Sequence, residues 1–282
     1  MFQLTTFRVS DLQNPINLAN QMELWNRIRP YLSSLVRFFH ISYIEAKSEH
    51  SGTRLGILWA PLSSLIFSAL LALVFHHSAT MSVSEYFIYV FAGYALWNFI
   101  SDSITGSTDV IQGQLDFAVH NNLSLVGLFG KLLVDRLFEY LMNAVVILAL
   151  ILLLRPANFG VGLTLFLPFL AIITLTSLGT AYLVNITTVL YPDLKAAVKV
   201  GARFMFFASP VFWSAGEVSS GTRAFLVQYN PVSYYLSLAR QVFGVEPLEP
   251  GAWAMAVLVS ATISATGYLA YRQSHSFVRN FK

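Results

Sequence analysis

Lys131, Asp135, Arg136 and Glu139 form the densest group of residues able to do acid, base or ion-pair chemistry, and they open an apolar run that extends to Leu154. Their spacing is that of partners on a helix. Lys131 and Asp135 are four apart and Arg136 and Glu139 three apart, so both pairs can neutralise locally. Ionisable groups in such surroundings are costly and face protein or water, and these sit near one end of the run, where pairing or an entrance role fits better than a proton relay. Other chemistry is scarce. The chain has no cysteine, which removes disulfides, thiolate metal sites and cysteine nucleophiles. His76 and His77 are adjacent and lack an HExxH context, so they read as a loop-facing pair and no metal site is expected. No GxxxxGK[ST] phosphate-cradling loop occurs, so any nucleotide hydrolysis must take place on another polypeptide.

The elements that hold these residues are set by composition. The chain of 282 residues is 56% hydrophobic and 11% charged, with a mean hydropathy of +0.61, whereas soluble domains carry roughly 25% charged residues. Its apolar runs reach the roughly 20 residues that an α-helix needs to cross a hydrocarbon core of about 30 Å. Arg8, Arg27, Arg29, Arg37, Lys47 and Arg54 precede the first run, and Arg272, Arg279 and Lys282 follow the last. The positive-inside rule then places both termini in the cytoplasm and demands an even number of spans.

The pattern reads as an all-α membrane protein with six transmembrane helices. Residues 1–54 form a cytoplasmic tail and an amphipathic helix beginning at Pro30, with Leu32, Leu35, Val36, Phe39 and Tyr43 as its apolar stripe, lying in the membrane interface. Residues 1–24 read as loosely ordered. Residues 55–275 form the membrane domain, with spans at about Leu55–Phe75, Tyr86–Ile104, Leu125–Leu154, Val161–Leu190, a fifth around Phe204–Trp213, and Ala252–Tyr271. The fifth must start inside the preceding basic segment and reach about Ala215, kinked by Pro210. Residues 107–124 form a cytoplasmic loop without Lys or Arg, and Tyr191–Lys199 a second one. Residues 216–251 are expected to form two short external helices dipping into the outer leaflet, because a structureless segment of that length is uncommon. Asn230 and Pro231 read as the cap and first turn of one of them. Residues 276–282 are a cytoplasmic tail.

Four motifs in order carry a family resemblance: Gly52-Thr-Arg-Leu-Gly-Ile-Leu-Trp59-Ala-Pro61 leading into span one, Tyr191-Pro-Asp193-Leu after span four, Ser209-Pro210-Val211 in span five, and Asn230-Pro231 followed by Arg240. Together they resemble the type-2 ABC exporter permeases, and within them the group that exports lipid-linked polysaccharides such as O antigens, capsules or teichoic acids. One departure is the loop after span two, which in that group often carries basic residues and here carries none from Gln112 to Ser124.

The resemblance implies a multi-pass protein of the bacterial inner membrane, a homodimer with the conduit at its interface, and two copies of a separate ATPase subunit that bind ATP and Mg. It implies no cofactor on this chain and no nucleic-acid partner. On this reading Gln112, Asp116, His120 and Asn121 in the 107–124 loop couple to the ATPase. Arg54, Lys131, Arg136 and Arg203 are candidates for meeting the phosphate of a lipid-linked substrate, with membrane lipid around them. Pro210, Asn230 and Pro231 would belong to an external gate. A polysaccharide path needs surfaces that hold sugars weakly, and Phe87, Phe91, Tyr94, Asn98, Asp102, Thr105 and Asp109 of span two and its end recur at three- and four-residue steps suited to a conduit wall, with Trp97 a further candidate. Helix-to-helix packing is the competing reading for these aromatics. Competing functions are an ABC exporter of another amphiphile and an ion-coupled secondary transporter, for which Asp102 is the nearest candidate group. A membrane enzyme acting on lipid-linked sugars would need convergent acidic or His groups, which the sequence lacks.

Overall fold

The computed structural model describes residues 15–49, 52–76, 81–121, 123–155, 160–214 and 221–279. Residues 1–14, 50–51, 77–80, 122, 156–159, 215–220 and 280–282 lie outside them, and with them parts of the expected N-terminal tail, 107–124 loop, 216–251 segment and C-terminal tail. Helices α1 (Pro15–Glu49), α2 (Trp59–Phe75), α3 (Val83–Thr105), α4 (Val110–His120), α5 (Leu125–Leu154), α6 (Phe166–Leu190), α7 (Leu194–Ala208), α8 (Thr222–Tyr229), α9 (Pro231–Val242) and α10 (Pro250–Arg279) account for the fold, and no strand occurs among the described residues. Four helical stretches among them, Gly56–Phe75, Leu125–Leu154, Val161–Leu190 and Pro250–Ser274, are long and apolar enough to cross a membrane.

The two remaining expected spans differ for separate reasons. Helix α3 has 23 residues, about 35 Å at 1.5 Å per residue, but carries Glu85, Asn98 and Asp102. It is the centre of the bundle, packed against α2, α5, α6, α7 and α9, and Tyr86, Ile88 to Gly93 and Ala95 to Trp97 are buried. A helix sheathed by others needs no continuous lipid-facing surface. Helix α7 has only 15 residues, about 22 Å. It begins inside the expected second cytoplasmic loop and stops at Ala208, so Pro210 ends the helix and does not kink a longer one. Residues 209–212 continue as buried, non-helical chain.

Helix α1 also differs from expectation, starting at Pro15 and running through Pro30. Proline lacks the N–H that would bond one turn back, and the hydroxyls of Ser33 and Ser34 both donate to the Pro30 carbonyl at 2.9 Å. Among its described side chains Phe38 and Ser42 are buried, whereas Leu32, Leu35, Val36 and Tyr43 of the anticipated stripe are exposed. An apolar stripe without a protein partner suits a helix whose partner is lipid.

Start signals explain the remaining borders. Ser82 and Glu85 make a reciprocal capping box on α3, and Ser124 caps α5. The Asn230 side chain caps α9 through the Val232 N–H at 3.0 Å, with Pro231 in the first turn. Gly179 and Gly267 let α6 and α10 cross closely, since a Cβ built on Gly267 would lie 2.8 Å from the Gly179 Cα.

The polar keystone is Arg240 on α9, 1% exposed. Where α7 stops, the backbone leaves carbonyls without helical partners. The Arg240 guanidinium donates to Pro210 O at 2.5 Å, Val211 O at 3.1 Å and Tyr89 O at 3.3 Å. It lies 3.5 Å from the Tyr89 ring centroid and 3.7 Å from Glu246 Oε1. Gly93 makes this possible, because a Cβ there would come within 2.6 Å of Arg240 Nη2. Arg240→Met is expected to remove about 3 kcal/mol or more by orphaning buried carbonyls, with Arg240→Lys recovering only part because it lacks the planar fork. Thermal melts of detergent-purified protein measure this, and an unchanged midpoint in Arg240→Met contradicts it.

Candidate functional site

A groove of about 590 Å³ runs between α2, α3 and α7. Helix α3 supplies Tyr94, Trp97, Asn98, Ser101, Asp102 and Thr105 on one face, as the 3.6-residue period requires. Phe67 joins from α2, and Lys199, Arg203, Phe206 and Phe207 from α7. The aromatic part is continuous: Phe67 and Tyr94 lie 4.8 Å apart, Trp97 and Phe206 5.6 Å, and Phe206 and Phe207 5.2 Å between ring centroids. Trp97 is buried, whereas Phe67 and Phe207 are exposed. Toward the α4 end the lining turns polar, with Asn98, Ser101, Asp102 and Thr105 facing Lys199 and Arg203. The groove thus offers ring faces in one half and charges of both signs, Lys199, Arg203 and Asp102, in the other.

The anticipated residues therefore separate. Tyr94, Trp97, Asn98 and Asp102 line the groove, but Phe87 and Phe91 do not. Those two stack on each other at 6.1 Å, and Phe91 is fully buried, because neighbouring elements wrap α3 on all sides near the α9 end. Of the four phosphate candidates, only Arg203 lines the groove. Arg54 is exposed beside the start of α2. Arg136 is buried behind α3, donating to Ser107 Oγ at 2.9 Å. Lys131 is consumed by pairing, with Glu45 of α1 at 2.6 Å and with Asp135, the partner its spacing anticipates, at 2.8 Å. Lys199, Phe206 and Phe207 were not anticipated. Lys199, Arg203, Phe206 and Phe207 recur at i, i+4, i+7 and i+8, a helical signal hidden by dividing that segment between a loop and a span.

Residues 107–124 are mostly helix α4, whose inner face buries Val110, Ile111 and Ala118. Asp116, His120 and Asn121 are exposed, and the latter two bond back to the Asp116 and Phe117 carbonyls. Gln112 accepts from Asn185 at 3.3 Å. The preceding turn is tied to α6, since Asn185 donates to Ser107 O at 2.9 Å and Thr188 to Thr108 O at 2.8 Å. Lys195 of α7 pairs with Asp109. Lys131 Nζ lies 5.3 Å from the Phe117 ring centroid, so a single ammonium touches α1, α4 and α5.

At the other end, Asn230 Nδ2 donates to Ser209 Oγ at 2.8 Å and Ala208 O at 3.3 Å. Asn230 is thus both the α9 cap and a clasp on the end of α7, beside the Pro210 carbonyl held by Arg240. Among the described residues, no cluster of three or more His, Asp or Glu side chains could hold a metal ion.

Comparison with known proteins gives one informative relation. The chain is 22% identical over 228 residues to the O-antigen export system permease protein RfbA of Myxococcus xanthus, a match that covers 78% of this chain and 87% of that relative. No protein-family model matches. The similarity supports the resemblance to type-2 ABC polysaccharide-export permeases carried by the motifs.

The Lys131 junction has a measurable consequence. Lys131→Met removes both ion pairs and leaves the Ser42 hydroxyl donating to Asp135 at 2.6 Å as a remaining polar tie between α1 and α5, so it is expected to loosen α1, seen as faster tryptic cleavage at Arg37 or Lys47 in the purified protein. Unchanged cleavage would make the junction irrelevant to α1 docking.

Proposed function

We propose that this chain is the membrane-spanning permease subunit of an ABC exporter that moves a lipid-linked polysaccharide, an O antigen or a similar surface glycan, outward across the bacterial inner membrane. The groove between α2, α3 and α7 carries the proposal, with the similarity to an O-antigen export permease supporting the cargo class. Processive movement needs many weak contacts, because tight binding at any one position would stall the chain. Aromatic faces followed by amide, hydroxyl and charged groups meet that need. Lys199 and Arg203 would receive the phosphate-bearing end of the substrate.

In this reading α3, and α7 extended by residues 209–214, complete a six-span domain with both termini in the cytoplasm. A second copy closes the open side of the groove, and each copy docks an ATPase subunit that binds ATP and Mg. The exposed side chains of α4, Asp116, His120 and Asn121, would meet that subunit. Its ties to α6 through Asn185 and Thr188, and to α7 through Lys195, would carry motion to the groove. Helices α8 and α9 with the 209–214 segment would form the external gate.

Tyr94→Ala and Arg203→Gln are expected to lower export about tenfold, the loss of a contact worth about 1.4 kcal/mol, with the amount of folded protein in the membrane unchanged. Equal losses of export and folded protein would identify packing residues. Asp116→Trp with Asn121→Trp is expected to abolish export while the co-purified ATPase still hydrolyses ATP, and normal export by that variant contradicts the role given to α4. The chain should also co-purify with an ATPase whose inactivation stops export.

A further inference from the structure

A second polar cavity, of about 220 Å³, lies behind the groove wall, enclosed by α2, α3 and α5. Two of its lining residues, Tyr140 and Asn143, each carry a buried atom, the hydroxyl and Oδ1, that has no hydrogen-bond partner within the protein. Their side chains are 1% and 5% exposed. Ser64, Asn98, Asp102 and Arg136 also line the space, and Asn98 donates to Ser64 Oγ at 3.3 Å. Buried polar groups in a helix bundle of this depth find partners, and where protein supplies none, water does if the site is polar and roomy. Here both conditions hold.

We infer that this cavity is a water-filled compartment, its waters bridging Tyr140 and Asn143 to the Asp102 and Arg136 charges and joining the groove at Asn98 and Asp102. Those last two residues line both spaces, so α3 is wetted on two faces along its polar half. Charge excludes an anion as the occupant, because Asp102 and Glu139 outnumber Arg136 around the cavity. A contrasting crevice of about 160 Å³ between α3, α6 and α9 is lined almost wholly by apolar atoms, and Ser103 there is already bonded to Phe99 O and Ser177 at 2.7 Å. It is dry. The hydrated compartment borders both Asp102 and Arg136, charges of opposite sign that act on each other across it. It is a property of the helix arrangement whatever the groove carries.

The cysteine-free sequence gives a clean test in the full-length protein assembled with its ATPase. A thiol reacts as thiolate, and burial in apolar surroundings suppresses that form. Ser64→Cys is expected to react with methanethiosulfonate ethylammonium at least about tenfold faster than Ser103→Cys, the rate ratio of one unit in thiol pKa. Equal rates overturn the inference. Tyr140→Phe gives a second reading that does not depend on the cysteine variants folding. A dry cavity leaves the hydroxyl unsatisfied, so its removal would raise the melting temperature and overturn the proposal. An unchanged or lowered melting temperature supports it.

Discussion

A helix that ends inside a bundle leaves carbonyls that must be satisfied where water is scarce, and this constraint organises the α9 end of the molecule. Helix α7 ends at Ser209-Pro210, and the carbonyls of Pro210 and Val211 are taken up by the Arg240 guanidinium. The same group reaches Tyr89 O on α3, so α3, the end of α7 and α9 meet at one side chain. A buried cation is expensive unless its hydrogen bonds are met. Arg240 meets that condition with three carbonyls, the Tyr89 ring face and Glu246. Because α3 and α7 supply most of the groove, its geometry follows from this junction.

The opposite end is held by a different device. Lys131 joins α1 to α5 and lies over Phe117 of α4, and two fully buried side chains of α6, Asn185 and Thr188, hold the turn that leads into α4. Lys195 extends the connection to α7. A displacement of α4 would therefore act on α6 and on the groove-lining helix α7 together. Such an arrangement suits a protein whose driving force is applied at α4.

Much of this was legible in the sequence, for physical reasons that differ by element. The bounds of α5 match its apolar run residue for residue, because lipid-facing length and a Ser124 cap both mark them. The Asn230-Pro231 pair announced the start of α9 through capping chemistry alone. Helix α1 was harder, since Pro30 reads as a start but sits mid-helix in a continuous rod beginning at Pro15. Helix α7 was obscured by its charges: Lys195 and Lys199 suggested a loop, yet Lys199 lies with Arg203 on the groove and Lys195 pairs with Asp109. Phe91 shows the limit of periodicity, which assigns a face but not what covers it. Arg240 stood out only as a family landmark, and its burial depends on a chain reversal that no local pattern encodes.

The central claim is that the groove is a passive conduit whose energy comes from a protein bound at α4. Reconstitution into liposomes, with and without the partner ATPase, measures it most directly. The account predicts ATP-dependent movement of lipid-linked glycan only when both proteins are present, and no movement with an ion gradient alone. Uphill solute transport by this chain by itself, driven by an ion gradient, would contradict it.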